Sequence, residues 1–162
     1  VGPIPNFAVC ALALAGVANL IRLARWRGWR TLAEPLVWIL HLGYGWLGVA
    51  LILLGAAVAA PGLVARSAGI HALTAGAVGV MTLAVMTRAT RGHSGRPLAA
   101  GAATTAIYLT INAAALLRVA APFVPSLQTG LLTASGLAWS LAFGGFVLAY
   151  FRMLARPRPK TA

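Results

Sequence analysis

The chain consists of long apolar blocks separated by short segments that carry almost all of its charge. Five long stretches contain no charged side chain, and they cover residues 1–21, 35–65, 67–87, 97–117 and 119–151. A helix needs about 20 predominantly apolar residues to cross the hydrocarbon core of a bilayer. The pattern therefore predicts an all-α, polytopic bundle of five transmembrane helices, near residues 6–24, 36–60, 69–87, 98–120 and 127–153.

Composition supports a membrane protein and excludes several other classes. Hydrophobic residues make up 60% of the 162 residues, and charged residues make up only 9%. The mean hydropathy is +0.89. A soluble domain carries about 25% charged residues and a disordered chain has low hydrophobicity, so neither class fits. The single cysteine, Cys10, excludes a scaffold of disulfides within the chain.

The distribution of basic residues predicts how the bundle is oriented. With five spans, one side of the membrane receives all but two of the thirteen basic residues, and the other side receives Arg66 and Arg118. Because cytoplasmic segments are enriched in Lys and Arg, the N-terminus is expected outside and the C-terminus in the cytoplasm. Residues 1–154 are then expected to form one transmembrane domain, and residues 155–162 a basic cytoplasmic tail. The net charge of +12 is explained by topology and by contact with the lipid bilayer, without a nucleic-acid partner.

Histidine is the main candidate for chemistry inside the membrane, where ionisable groups are costly and indicate function. His41 shares a helix face with a run of aromatic and small residues, namely Trp38, Tyr44, Gly45, Gly48, Ile52 and Gly55. One interpretation is that another helix packs on this face through its small residues, and the spacing favours that interpretation. The other is that a flat cofactor lies there, with His41 as its axial ligand and Tyr44 as a polar neighbour.

The other two histidines also have two interpretations each. His71, near the outer end of the third span, is either a ligand or an interfacial histidine in contact with water and headgroups. His41 and His71 differ in depth by about 15–20 Å, which is too far for them to share one metal ion. His93, in the third connection, either joins His41 at the cytoplasmic side or is a histidine of a basic turn.

Arginine and other polar residues complete the candidate set. Arg88 and Arg96 flank a Gly-rich segment that can pair with propionates or phosphates, or else lie against anionic lipid. The polar residues inside the spans are expected to face the bundle interior and to form hydrogen bonds between helices. They comprise Asn19 in the first span, Thr104, Tyr108 and Asn112 in the fourth, and Thr133 and Ser140, with Gly144, in the fifth.

The catalytic groups of most hydrolases and transferases are missing from the sequence. It has no pair of carboxylates, no serine–histidine–acid set and no CxxC motif, and its only acid is Glu34. General acid–base chemistry by carboxylates is therefore not expected. Any chemistry would have to come from histidine or from a bound metal or haem, and the sequence leaves open whether the protein is an enzyme.

Three motifs resemble the NnrS family: HLGYGWL at residues 41–47, HALTAGAVGVMTLAVMTR at 71–88 and GHSGRPL at 92–98. The resemblance extends over the whole chain. It implies a multi-pass protein of the bacterial inner membrane that contains haem and copper and acts in the response to nitric oxide. It also makes His41, His71 and His93 candidate metal ligands, with no basis for assigning haem or copper among them. Members of the family have more spans, so the chain, which begins with Val1, is expected to be the C-terminal part of a larger bundle.

Three functions are compatible with the sequence. The first is a haem- and copper-binding protein that protects against nitric oxide. The second is a transporter for a metal or metal–nitrosyl species, with the histidines as transient sites. The third is a non-catalytic assembly subunit that packs against the remaining helices of the full-length protein. Stable haem binding would favour the first function, and metal-dependent flux without haem would favour the second.

Overall fold

The computed structural model describes residues 6–155, which form five long helices joined by short connections. The helices are α1 (Asn6–Arg25), α2 (Pro35–Ala59), α3 (Arg66–His93), α4 (Ala102–Ala120) and α5 (Gln128–Ala155). Each helix is long and apolar enough to cross a membrane. The predicted all-α bundle with five spans is confirmed. The orientation of the termini stays a prediction, and most of the predicted basic tail lies outside the described residues.

The predicted boundaries fail on both sides of the third connection. Helix α3 continues to His93, well beyond its predicted end at residue 87, and α4 begins at Ala102 rather than at residue 98. Arg88 therefore lies on the last turns of α3 and not in a loop. The reason is that a long basic side chain can reach the headgroup region while its backbone stays helical, so a charge does not have to end a helix. Gly95, whose φ is 68°, lies in the connection that follows α3.

Helix α1 packs on the C-terminal half of the α2 face that contains His41. This glycine half of the face comprises Gly45, Gly48, Ile52 and Gly55. A Cβ added to Gly48 would lie 2.7 Å from the side chain of Leu20, and one added to Gly16 would lie 2.8 Å from the carbonyl oxygen of Gly48. Small residues allow two membrane helices to approach at this distance. The interpretation that another helix packs on this face is confirmed for its glycine half.

The core of the bundle surrounds α3, which contacts α2, α4 and α5. The largest buried apolar side chains of this core are Leu36, Ile39, Val80, Leu83, Ile107, Tyr108, Ile111, Phe146 and Tyr150. The ring of Trp38 meets that of Tyr108 edge-on, with centroids 5.9 Å apart. This ring contact therefore connects α2, the helix that contains His41, to the core.

The polar stripe on α4 faces the bundle interior, as predicted. Each of its members forms a hydrogen bond to a different helix, and the pairs are Thr104 with Tyr150 at 2.7 Å, Tyr108 with Thr87, and Asn112 with Trp46 at 3.1 Å. The stripe thus connects α4 to α5, α3 and α2. Asn19 of α1 similarly accepts a hydrogen bond from Tyr44 of α2.

The corresponding prediction for α5 is wrong. Thr133, Ser140 and Gly144 are exposed, and an added Cβ at Gly144 would meet nothing within 4 Å. The polar residue that α5 buries in its first half is Ser135, whose hydroxyl donates to the carbonyl of Ala114 on α4 at 2.8 Å. Small and apolar residues occur on every side of α5, so the position of its polar residues does not identify its interior face.

Helix α3 contains a π-helical segment, Ala72–Val78. Gly76 lies in this segment, and an added Cβ there would be 2.6 Å from the indole of Trp46. The glycine therefore lets the Trp46 ring lie directly on the α3 backbone, from where its Nε1–H reaches Asn112. Such π-helical turns are rare and are frequently found at functional sites.

Removing the Tyr108 hydroxyl tests the contribution of the hydrogen bond between α3 and α4. In Tyr108→Phe, Thr87 keeps its bonds to the carbonyls of Leu83 and Ala84, so no buried polar group is left unpaired. We expect the free energy of unfolding in bicelles to fall by about 0.6 kcal/mol and by no more than about 2 kcal/mol. Thr110→Ala is the control, because that hydroxyl is exposed and bonded within its own helix. Equal losses in both variants would contradict the assigned role.

Candidate functional site

The imidazole of His41 is held in the orientation that a metal ligand requires. Its Nδ1 lies 3.0 Å from the carbonyl oxygen of Val37, one turn earlier in α2. A carbonyl oxygen only accepts hydrogen bonds, so in the neutral ring Nδ1 carries the proton and Nε2 has the lone pair. Histidines that bind metals usually donate their second ring N–H in this way, which fixes both tautomer and ring orientation.

The connection between α1 and α2 folds over His41. A Cβ added to Gly28 would lie 2.7 Å from Cδ2 and 3.3 Å from Nε2 of the imidazole, so only glycine leaves room for the ring here. The indole of Trp26 meets the same ring edge-on, with centroids 6.2 Å apart. This contact was not predictable from helical spacing, because the spacing does not determine the path of the connection.

His41 and Gly28 line a groove of about 380 Å³, which lies within the range of small-molecule and cofactor sites. The remaining lining residues are apolar, and they are Leu20, Leu23, Ala24, Trp29, Leu32, Trp38 and Leu42. The groove therefore combines one imidazole with apolar walls that include two indoles. This chemistry fits a flat, largely apolar group ligated by His41.

Tyr44 supports the groove without lining it. Its hydroxyl donates to Oδ1 of Asn19, and the amide nitrogen of Asn19 donates to its own helix at the carbonyl of Ala15, 2.7 Å away. The Tyr44 ring packs on Trp26 with a centroid distance of 4.9 Å, and the guanidinium of Arg22 lies 5.5 Å from the Trp26 centroid. Tyr44 thus holds α1 and the indole that contacts His41.

His93 belongs to a second cavity, of about 470 Å³, between α3 and α5. Two of the three methionines of the chain, Met86 and Met153, line the same cavity. Met86 and His93 are two turns apart on α3 and so share a helix face. Sequence reasoning from the histidines missed both methionines, although the spacing from Met86 to His93 was available as a signal. Imidazole and thioether are the donor types that bind Cu(I).

The three histidines lie in three different places. His41 and His93 are at the same end of the bundle, because α2 begins where α3 ends, yet their two cavities share no lining residue within the described chain. His93 and His41 therefore line separate cavities, and their roles as ligands stay predictions. His71 lies about 30 Å from His93 along α3. Residues 6–155 contain no group of three or more His, Cys, Asp or Glu side chains that could hold a metal ion.

The arginines of the third connection have separate roles. Arg88 is exposed on α3, and Nε of Arg91 donates to the carbonyl of Pro97 at 2.9 Å, which fixes the connection. Nη1 of Arg96 is buried and has no hydrogen-bond partner among the described residues. An unpaired buried donor of this kind is costly unless an anionic group meets it. Of the two arginines singled out in the sequence, Arg96 is therefore the one that fits a propionate or phosphate.

Comparison with known proteins supports the resemblance found in the sequence motifs. The model of the family described as NnrS protein matches residues 3–158, which is nearly the whole chain. No curated protein and no solved structure matches it. The predicted resemblance is confirmed over almost the full length of the sequence.

Proposed function

This chain belongs to the NnrS family, and from that premise we propose that it binds haem and copper in the bacterial inner membrane and acts in the response to nitric oxide. It is a multi-pass membrane protein with five spans in the described residues. The observation that carries the proposal is the His41 imidazole, which is oriented by Val37 and lines an apolar groove. When bound, haem iron binds nitric oxide and exchanges electrons, and copper adds a second redox centre.

We assign the haem to the groove beside His41. The bond from Nδ1–H to the Val37 carbonyl leaves Nε2 as the ligand atom, and Gly28, which has no side chain, leaves room for the imidazole beneath the α1–α2 connection. The indoles of Trp29 and Trp38 form part of the apolar wall of the groove. Burial and hydrogen bonding of the axial ligand are the means by which a protein tunes such a centre.

We assign the copper to the cavity of His93, Met86 and Met153. Soft thioether ligands select Cu(I), and an imidazole completes a donor set that suits copper better than a hard cation. His71 is assigned to neither group. One turn further along α3, Thr74 lines a cavity together with Arg118, and a guanidinium at that end disfavours a metal cation.

Replacing both methionines tests the copper assignment. The double variant Met86→Leu with Met153→Leu keeps side-chain volume, so the fold should persist. We expect Cu(I) affinity to fall by at least about 10-fold, measured by competition with a chromogenic chelator, while haem content stays unchanged. Met81→Leu, which removes the third methionine from a different cavity, is the matched control. Wild-type copper affinity in the double variant would contradict the assignment.

The function itself is tested on the full-length protein in its membrane. Pyridine haemochrome and reduced-minus-oxidised spectra measure haem, elemental analysis measures copper, and nitric oxide is then added to the reduced sample. We expect about one haem per chain and a shifted haem spectrum on addition of nitric oxide. A protein that lacks haem and supports metal flux across the membrane would overturn the proposal and favour the transport function.

A further inference from the structure

A polar cavity of about 420 Å³ lies at the opposite end of the bundle from His41, between α3, α4 and α5. Most of its lining side chains carry N–H or O–H groups, and the lining consists of Thr74, Ala75, Arg118, Ser135, Gly136, Trp139 and Ser140. The cavities beside His41 and His93 are lined mainly by apolar side chains. Neither the haem nor the copper assignment uses this third site.

Arg118 carries the positive charge of the cavity and has no acidic partner in the sequence. It is partly buried on the last turn of α4. The only acidic side chain, Glu34, precedes α2 at the other end of the bundle. A guanidinium in or beside the hydrocarbon region needs a compensating group, because its charge is expensive to remove from water. No side chain of the sequence supplies a negative charge at this end of the bundle, so an external anion can serve as the compensating group.

Further hydrogen-bond donors border the same space. The Trp139 Nε1–H and the Ser140 hydroxyl form no hydrogen bond with other described residues, whereas the Ser135 hydroxyl is already used by Ala114. Nε1 of Trp139 lies 3.7 Å from the position of a Cβ added to Gly79, so the indole N–H is at the junction of α5 with α3. The lining thus offers one positive charge and free donors but no negative charge.

The backbone of α3 is irregular at this cavity. Thr74 and Ala75 belong to the π-helical segment Ala72–Val78, and both line the cavity. The Thr74 hydroxyl donates to the Ile70 carbonyl of its own helix at 2.9 Å. Because π-helical turns concentrate at functional sites, this irregularity is a second observation that points to the same place.

We propose that this cavity binds an oxoanion, with the Arg118 guanidinium as its charge partner and Trp139 and Ser140 as hydrogen-bond donors. Guanidinium groups pair with the oxygens of phosphates and similar anions through two parallel hydrogen bonds. The phosphate of a phospholipid headgroup and a free oxoanion share this chemistry. The site is independent of the proposed haem and copper centres.

Thermal unfolding of the full-length, delipidated protein in neutral detergent tests the proposal. Inorganic phosphate or phosphatidylglycerol is added at constant ionic strength, with chloride as the reference. We expect saturating ligand to raise the midpoint of the wild type by roughly 5 °C. Arg118→Gln should lose this rise. Arg66→Gln, the matched control, should keep it, because Arg66 is exposed at the start of α3 and does not line the cavity.

The two ligands identify the source of the anion. A rise with phosphate alone supports a free oxoanion, and a rise with lipid only supports a headgroup. No rise in the wild type, or the same rise in all three proteins, would overturn the proposal. Should Arg118→Gln fail to fold, Trp139→Phe keeps an aromatic ring beside Phe143 but removes the N–H. It should weaken the apparent Kd about fivefold, and an unchanged Kd would overturn the proposal.

Discussion

His41→Ala should remove haem from the protein while leaving its copper in place. The variant deletes the only imidazole of the groove under the α1–α2 connection, and the remaining lining residues offer no other strong iron ligand. We expect the haem content from the pyridine haemochrome to fall to less than about a tenth of the wild-type value, because second-shell changes alone cost 10–100-fold in metal binding. Copper per protein should be unchanged, because His93 lies in a separate cavity.

His93→Ala is the matched control and should give the opposite result. It lies at the same end of the bundle as His41, is exposed, and does not line the groove of His41. Haem content should stay at the wild-type level while copper is lost. His71→Ala should retain both groups. Wild-type haem in His41→Ala, or loss of both groups in each of the His41 and His93 variants, would contradict the assignment of two separate centres.

Gly16→Val should separate α1 from α2 and destabilise the bundle. The new Cβ would lie 2.8 Å from the carbonyl oxygen of Gly48 and 2.7 Å from the side chain of Ile52. A backbone carbonyl in a helix cannot move aside as a side chain can, so the two helices must separate. Overpacking of this kind costs about 1–3 kcal/mol, and we expect a loss in that range in the free energy of unfolding in bicelles.

The effect of Gly16→Val should extend to haem binding. Helix α1 leads into the connection that holds Gly28 and Trp26 against His41, so its displacement should weaken haem affinity as well. Gly144→Val is the control, because an added Cβ there meets nothing within 4 Å. It should change neither stability nor haem affinity by a measurable amount. Equal destabilisation by the two valines would show that the α1–α2 contact does not limit stability.

The charge-free gaps in the sequence predicted the number of spans because a membrane helix excludes charge over a fixed length. They failed at α3 because a charged residue does not have to end a helix, and α3 continues past Arg88 to His93. The polar stripe of α4 was predictable because its three members repeat at every fourth residue. The interior face of α5 was not predictable from its polar residues, because Ser135 is buried whereas Thr133 and Ser140 are exposed.

The candidate site was predictable only in its local parts. His41 was identified because ionisable residues are rare inside a span. The proximity of Met86 to His93 was also predictable, because the two residues lie two turns apart on one helix. Two contacts depend on how separate segments pack against each other: that of Gly28 with His41, and that of Met153 with the His93 cavity. The spacing of residues along one helix carries no information about this packing. The π-helical segment around Gly76, which packs closely on Trp46, likewise has no local sequence signal.

Chemical rescue of His41→Gly by imidazole tests the central assignment most directly. The glycine variant leaves space in the groove for a free imidazole, which can replace the missing ligand without any other change in the protein. We predict that the variant in membranes lacks the wild-type reduced-minus-oxidised haem spectrum, and that imidazole added together with haem restores it as the imidazole concentration rises, whereas haem alone does not. A variant that keeps the wild-type haem spectrum before imidazole is added would show that His41 is not the ligand.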